Sequence, residues 1–427
     1  MGPPLRGRCD FEGLRESCEY NYYSATKLTM KYCIIIPDGM ADCPVERLRN
    51  RTPLEAARTP NMDRAAKRGI VGLSHTIPHR LKPGSDVAIM SVFGYDPLKY
   101  YTGRAPLEAA DLGIDMGPED WAFRCNLVTV SEDIMADFCA GHISTKEAAL
   151  LIDTLNEQIG ADDITFHTGT GYRHLMLYTG EQDFDVSTTP PHDIMGDPVI
   201  RHLPRGDGSD LLVDLMERSA EILPGHDVNA VRVDLQQNPA NMIWLWGQGR
   251  KAPLDSFSER FGLQGAAISA VNLVRGIARL IGWEVLQVPG ATGYLDTDYA
   301  AKGRYAVDAL RSYDLVAVHI EAPDEASHNG DLQAKIKSIE QVDSDIVGPV
   351  LSEAESSGDT RVLVMPDHLT PFTKRTHARG PVPFALWGPD MSDPSGMTMS
   401  EANAAKTGIE VSKGHQLIEK LLGEDSF

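Results

Sequence analysis

The chain has no apolar run approaching the roughly 18 residues that would cross a bilayer as a helix, so no membrane partner is expected. Its first 29 residues lack the apolar stretch of a secretory signal. No two cysteines form a CxxC pair; the six lie at 9, 18, 33, 43, 125 and 139. That scatter argues against a disulfide framework or a zinc ribbon and fits a reducing cytosol, so a cytoplasmic location is expected. Basic residues are scarce as well. There are 40 Lys and Arg against 61 Asp and Glu, a formal net charge of −21. Phosphate backbones bind basic patches, so nucleic acid is excluded as an expected partner. A small phosphorylated substrate is still compatible, because bound metals and a few local arginines reverse the field inside one cleft. The chain also lacks a GxxxxGKS/T phosphate loop, so a nucleotide would need another mode of binding. The glycines of TGTG (168–171) are not set between a strand and a helix, which argues against a dinucleotide site.

What is present is 427 residues that are 42% hydrophobic, enough for a large core and two domains. Residues 1–29 are polar and unpatterned and stop just before Met30. They are expected to precede the natural start or to be mobile. KYCIIIP (31–37) reads as a buried parallel strand closed by Asp38 and Gly39. A helix is expected over 60–68, between Pro60 and Gly69, then a strand at about 71–76. GSDVAIMSVFG reads as a turn into a helix that begins near Ser85. YDPLKYYTGRAPLEAADLG reads as loop-rich. From about 120 the character changes. FRCNLVTV suggests a strand, and STKEAALLIDTLNEQIG an amphipathic helix capped by Ser144 or Thr145. DITFHTGTGYRHLMLYTG suggests a hairpin, and SDLLVDLMERSAEIL another helix.

From about 240, strand and helix alternate again. The strand candidates are NMIWLWG, AAISAV, VLQV, YDLVAVHI, RVLVMPD and PVPFALW, with helices near 271–281, 298–312 and 331–355. This alternation implies a mostly parallel α/β sheet covered by helices on both faces. One α/β domain is therefore expected from 30–118 plus 240–427, with a smaller α+β domain inserted at 119–239.

The chemistry concentrates near the C-terminus. Asp324 and His328 stand four apart, so on a helical turn both reach one ion. Asp367 and His368 are adjacent, and both bind one metal only if the chain turns there, which Thr370 and Pro371 favour. His377 follows nine residues later. Alone, each of these fits a surface ion pair, a cap or an ordinary loop residue. Together, after apolar strands, they form a two-metal ligand set, and carboxylate plus imidazole donors suit Mn²⁺ or Zn²⁺. Asp38 and Ser85 complete it from far upstream. Ser85 has a plain alternative as a helix N-cap. Its functional role would be a hydroxyl activated by a cation to attack phosphorus. Among cations for a substrate, Arg173 is the first candidate, since a guanidinium clamps a carboxylate or phosphate with two bonds. Arg124 and Lys302 follow.

PDGMADCP, RTPLEAARTPNMDRAAKRG, PGSDVAIMSVFGYDPLKYYTGRAPLEA, NMIWLWGQG, VHIEAPDEASHNGD and PDHLTP with its later His and GPVPF resemble the archaeal-type cofactor-independent phosphoglycerate mutases of the alkaline phosphatase superfamily. The resemblance runs from about residue 30 to the C-terminus. It implies Asp324, His328 and His377 at a first metal, and Asp38, Ser85, Asp367 and His368 at a second. Mn²⁺ or Zn²⁺ is expected there, with Mg²⁺ or Co²⁺ as alternatives. It also implies that Ser85 carries the phosphoryl group between 3- and 2-phosphoglycerate. One departure bears on the substrate: His142, in CAGHIS, stands where archaeal relatives are expected to carry a substrate-contacting arginine. A histidine there resembles a bacterial branch with a proposed homoserine kinase role. A homoserine kinase-like phosphotransferase and a phosphomonoester hydrolase therefore remain open beside the mutase.

Overall fold

The computed structural model describes residues 30–424 together with Gly2. The expectation about residues 1–29 thus falls, Gly2 apart, outside the described residues. The chain lays down β1 (Lys31–Pro37) and β2 (Ile70–Ser74) and then leaves for a second unit. That unit holds β3 (Trp121–Ser131), β4 (Ile134–Asp137), β5 (Ile164–Thr170) and β6 (Arg173–Tyr178). A small ribbon of β7 (Asp185–Ser187) and β8 (Arg205–Asp207) follows, then β9 (Met242–Arg250). The chain returns with β10 (Gly265–Ile268), β11 (Glu284–Val285), β12 (Leu315–Ile320), β13 (Thr360–Val364), β14 (Val382–Trp387) and β15 (Glu410–Val411).

The larger sheet runs β11-β10-β12-β1-β13-β14-β2-β15. Its strands pair in parallel except around β14, which is antiparallel to both neighbours. Side chains alternate across a strand, so a strand between two helical layers must be apolar at every position. KYCIIIP meets that demand. Cys33 and Ile35 enter one core with Val318 and Val364, while Ile34 and Ile36 enter the other with Ala317 and Leu363. The parallel register aligns Pro37 with Ile320 at the C-terminal edge, where β1, β12 and β13 all end. Open α/β sheets bind ligands at that edge.

The second sheet, β4-β3-β6-β5 with β9 on the far side of β3, has its own apolar core. Here the structure corrects the sequence reading. NMIWLWG was expected in the parallel sheet, yet β9 pairs antiparallel with β3. The second unit thus extends past the expected boundary at 239. An apolar run states that a strand is buried and says nothing about which sheet buries it. The segment expected to be loop-rich holds two short helices, Pro97–Tyr100 and Ala105–Asp111. Pro97 and Pro106 occupy the first helical turn, where a missing N–H costs nothing. VLQV forms only the two-residue β11. Among the described residues no helix is long and apolar enough to cross a membrane.

The helix Ala105–Asp111 joins the two units. Ala105 and Ala109 pack with Ala122 of β3 and Leu175 of β6 in a thin apolar seam. On its other side this helix meets Asn272–Leu280 so closely that a β-carbon at Gly276 would overlap the Leu107 carbonyl. Gly276→Ala should therefore destabilise the protein by about 1–3 kcal/mol, the usual cost of overpacking. A lowered thermal midpoint checks this, and an unchanged midpoint would contradict the close contact.

Candidate active site

Asp38 follows β1 directly, and its N–H donates to the Ile320 carbonyl of β12 at 2.9 Å. Asp324 and His328 lie one turn apart on the helix Ala322–His328, with Asp324 Oδ2 3.1 Å from His328 Nε2. Asp367 and His368 sit in a bend just after β13, so two neighbouring side chains do face one point: Asp367 Oδ2 and His368 Nε2 are 3.2 Å apart. Leu369 then forms bridges to Met40, Ala41 and Ala378. That knot ties the loops after β1 and β13 to the segment carrying His377. Gly39 adopts a left-handed φ of 59°, and a β-carbon there would run into Asp324 and Thr370. Glycine is the residue that tolerates both conditions.

Ser85 is the first residue of the helix Ser85–Val92. The N-cap is Gly84, and no side chain caps this helix, so the plain alternative for Ser85 does not hold. Its hydroxyl, almost fully buried, lies 3.1 Å from His368 Nε2. The seven residues singled out from the sequence thus converge in two touching groups. In one, His328 Nε2 is 3.0 Å from His377 Nε2, and His377 Nε2 is 3.6 Å from Asp324 Oδ2. In the other, His368 Nε2 faces Ser85, Asp367 and, at 3.5 Å, Asp38 Oδ1. The rings of His368 and His377, 4.2 Å apart, join the groups.

These residues fit divalent cations. Asp38 Oδ1 and Asp367 Oδ2 are buried without any hydrogen-bond partner, a costly state unless a cation meets them. Burial, then the neighbouring Asp367, Glu321 and Asp324, pushes the Asp38 carboxyl well above the usual carboxylate range. Burial acts the same way on Asp324, but hydrogen bonds with His328 and His377 overcome it and hold that carboxyl well below its usual range. The hydrogen bond with Asp324 in turn raises His328 to about 9. Burial pushes His368 down. Sets of carboxylate and imidazole atoms within 4.8 Å of one another include Asp38 with Asp367 and His368, and Asp324 with His368 and His377.

Sequence reasoning missed four residues of this centre. His319, the one charged or polar side chain inside the apolar β12, places Nε2 2.8 Å from Asp38 Oδ2. Its Nδ1 meets Ser269 Oγ at 3.2 Å, and that oxygen already accepts from the Val271 N–H at 3.0 Å. An ionised Asp38 only accepts, so the Nε2–H donates to it and Nδ1 is left to accept from the Ser269 hydroxyl. A histidine interrupting an apolar strand was the available signal. Glu321, raised by burial and then by Asp324 to about 8, and Thr370 also belong here. Arg104 is the fourth.

The site opens into a cleft of about 520 Å³ between the two units, within the usual range for small-molecule sites. Ser85, Asp324, His328 and His377 line one wall, and Arg104, Arg124 and Arg173 line the others. Arg104 pairs with Asp86 at 3.3 Å, and Tyr101 donates to the same carboxylate at 2.6 Å. Arg124 is engaged, with Nε 3.0 Å from Glu108 and its guanidinium over the Trp246 ring. Arg173, at the start of β6, has no acidic partner within ion-pair distance among the described residues. Two sequence candidates are not brought here. Lys302 is fully buried and donates to the His319 carbonyl at 3.1 Å, so it braces β12 from behind instead of sitting solvated on a helix. Burial lowers it to about 8. His142 is exposed, with a left-handed φ of 52°, and does not line the cleft.

A family model described as 2,3-bisphosphoglycerate-independent phosphoglycerate mutase matches residues 66–229. A phosphoglycerate mutase of that type from Methanosarcina acetivorans is 49% identical over 380 residues, covering 89% of this chain and 96% of the relative. One from Methanothrix thermoacetophila is 49% identical over 92% of this chain and 100% of its own. The chain belongs to the 2,3-bisphosphoglycerate-independent phosphoglycerate mutase family. A solved Pyrococcus horikoshii protein superposes with a TM-score of 0.78 at 29% identity, covering 93% of this chain and 99% of that one. A cofactor-independent phosphoglycerate mutase from Thermoplasma acidophilum gives 0.66 at 27% identity, over 93% of this chain and 100% of its own. This agreement in fold and family includes the expected α/β class.

A metal that binds His328 must displace the proton that its raised pKa of about 9 retains at neutral pH. Apparent metal affinity should therefore weaken as pH falls below about 9. Calorimetry in buffers of different ionisation enthalpy should detect net proton release on Mn²⁺ or Zn²⁺ binding. Zero release at pH 7 would contradict the ligand role.

Proposed function

We propose that this chain interconverts 3-phosphoglycerate and 2-phosphoglycerate through a phosphoserine on Ser85. The observation that supports it most is the 3.1 Å approach of the Ser85 hydroxyl to His368, with unpartnered oxygens of Asp38 and Asp367 beside it. Asp324, His328 and His377 would hold one divalent ion, and Asp38, Ser85, Asp367 and His368 the other. Mn²⁺ or Zn²⁺ suits these donors. When bound, such ions lower the pKa of a serine hydroxyl and offset phosphate charge.

The remaining work falls to the chain. The Ser85 hydroxyl gives up its proton and its oxygen bonds to phosphorus as the bond from phosphorus to the substrate's 3-oxygen breaks; the freed 3-oxygen takes up a proton in its place. Glycerate stays in the cleft and turns. Its 2-hydroxyl loses a proton and attacks the phosphoserine, which restores Ser85. The N-terminus of the helix Ser85–Val92 favours the negative phosphoryl oxygens. Arg104, steered by Asp86, supports the same oxygens, and Arg173 grips the substrate carboxylate across the cleft. Arg124 braces that wall. The unit containing β3, β6 and β9 excludes water, since water reaching the phosphoserine would turn transfer into hydrolysis.

Ser85→Ala should fold normally and lose turnover by at least about 10³-fold in an enolase-coupled assay. Wild-type rates in that variant would remove Ser85 as nucleophile. A metal-loaded wild type that releases phosphate from phosphoglycerate without mutase turnover would be a hydrolase. ATP-dependent phosphorylation of homoserine in its place would mark a phosphotransferase.

The two arginines should separate kinetically. Arg173→Ala should raise KM more than it lowers kcat, because carboxylate binding persists unchanged through the reaction. Arg104→Ala should lower kcat by about 10²-fold or more, because charge on the phosphoryl oxygens shifts in the transition state. Equal effects of both variants on KM alone would refute this division.

A further inference from the structure

One hydroxyl touches both groups of candidate metal ligands. Thr370 Oγ1 lies 2.5 Å from Asp324 Oδ1 in the first group and 3.1 Å from His368 Nδ1 in the second. Thr370 is fully buried. Its backbone is held on both sides: its N–H donates to the Ala41 carbonyl at 3.1 Å, and its carbonyl accepts from the Lys335 ammonium at 2.9 Å. Lys335 is itself fully buried and paired with Asp42 at 2.7 Å. The position of the hydroxyl is therefore set by the fold.

The proton inventory gives that position a consequence. A threonine hydroxyl has one proton to donate and two lone pairs that accept. Asp324, as a metal-binding carboxylate, is ionised and only accepts. The hydroxyl proton therefore goes to Asp324. The contact with His368 must then run the other way, from an imidazole N–H on Nδ1 to Oγ1. A neutral imidazole with its proton on Nδ1 carries its lone pair on Nε2. Nε2 is the nitrogen that faces Ser85 at 3.1 Å, Asp367 at 3.2 Å and Asp38 at 3.5 Å.

We propose that Thr370 is a positioning residue. It fixes His368 in the form whose Nε2 can take a metal, and it links the two ligand groups so that neither assembles independently of the other. The inference rests on reading the seven side chains as a two-ion set.

Thr370→Val removes the hydroxyl and keeps the shape, whereas Thr370→Ser keeps the hydroxyl and loses a methyl. In Zn²⁺ titrations, wild type should bind two ions, the serine variant should bind close to wild type, and the valine variant about 10–100-fold more weakly at both steps. Valine binding as tightly as wild type overturns the inference. So does serine binding as weakly as valine, because shape and not the hydroxyl would then matter. Nitrogen-15 histidine spectra of Zn²⁺-loaded wild type give a second readout that needs no variant to fold. His368 should show a protonated Nδ1 and a metal-shifted Nε2, and the reverse assignment overturns the proposal. A wild type that takes up no metal sinks the two-ion reading itself, a failure distinct from equal binding by the valine variant.

Discussion

Three buried aspartates, Asp38, Asp324 and Asp367, meet at one edge of a mostly parallel sheet with imidazoles and no Lys or Arg ammonium or guanidinium paired to them among the described residues. Burying an ionised carboxylate costs several kcal/mol unless an opposite charge or several hydrogen bonds meet it. The Thr370 hydroxyl and the neighbouring His328 and His377 imidazoles satisfy Asp324. Asp38 and Asp367 each keep one oxygen without a partner, and Glu321 beside them does the same. Without cations such a centre must hold protons, which is the direction in which Asp38 and Glu321 are pushed. Divalent charge would replace those protons and let every carboxylate ionise. The surroundings follow from that demand. Gly39 lets the backbone pass between Asp324 and Thr370, Leu369 knots three loops, and His319 holds the remaining oxygen of Asp38.

Parallel topology explains how residues almost 340 positions apart along the chain, Asp38 and His377, share one site. Parallel strands all point their C-terminal ends the same way, so whatever follows each strand lands on the same edge. β1 leads into Asp38, β12 into the helix of Asp324 and His328, and β13 into Asp367 and His368. These three strands are neighbours in the order β12-β1-β13. Apolar residues at successive positions, which bury both faces, also bring the polar groups after each strand within a few ångströms of one another.

That coupling made much of the centre legible beforehand. An apolar run that stops at Asp38, or at Asp367, states both the strand and the edge. The four-residue step from Asp324 to His328 is a local property of a helix and survives folding unchanged. What the sequence does not state is what lies behind these candidate ligands. His319 sits in the middle of its strand pattern, and Thr370 resembles any turn threonine. Their roles depend on neighbours supplied by strands and loops far along the chain. Lys302 failed as a substrate cation for the same reason, since its helix turns it inward beneath β12, where it meets the His319 carbonyl. β9 shows a related blindness: its apolar residues announce burial equally well in either sheet.

The two units contribute unequally to the cleft, and the seam between them matters for that reason. Ser85 and Arg104 belong to the side of the larger sheet, where the helix Ala105–Asp111 is locked against Asn272–Leu280 through Gly276. Arg173 comes from β6, on the other side of a seam of three buried alanines with Met116 and Leu175, flanked by Ile114 and Leu177. Thin apolar seams between units permit relative motion more readily than broad ones. On the proposed reaction, a substrate with a phosphate at one end and a carboxylate at the other would meet cations from both sides at once. A phosphate ester without the carboxylate would meet only the Ser85 side. On the proposed reaction, the same edge would favour transfer within a trapped glycerate over transfer to water, because only a substrate gripped at both ends would hold the second sheet against the phosphoserine.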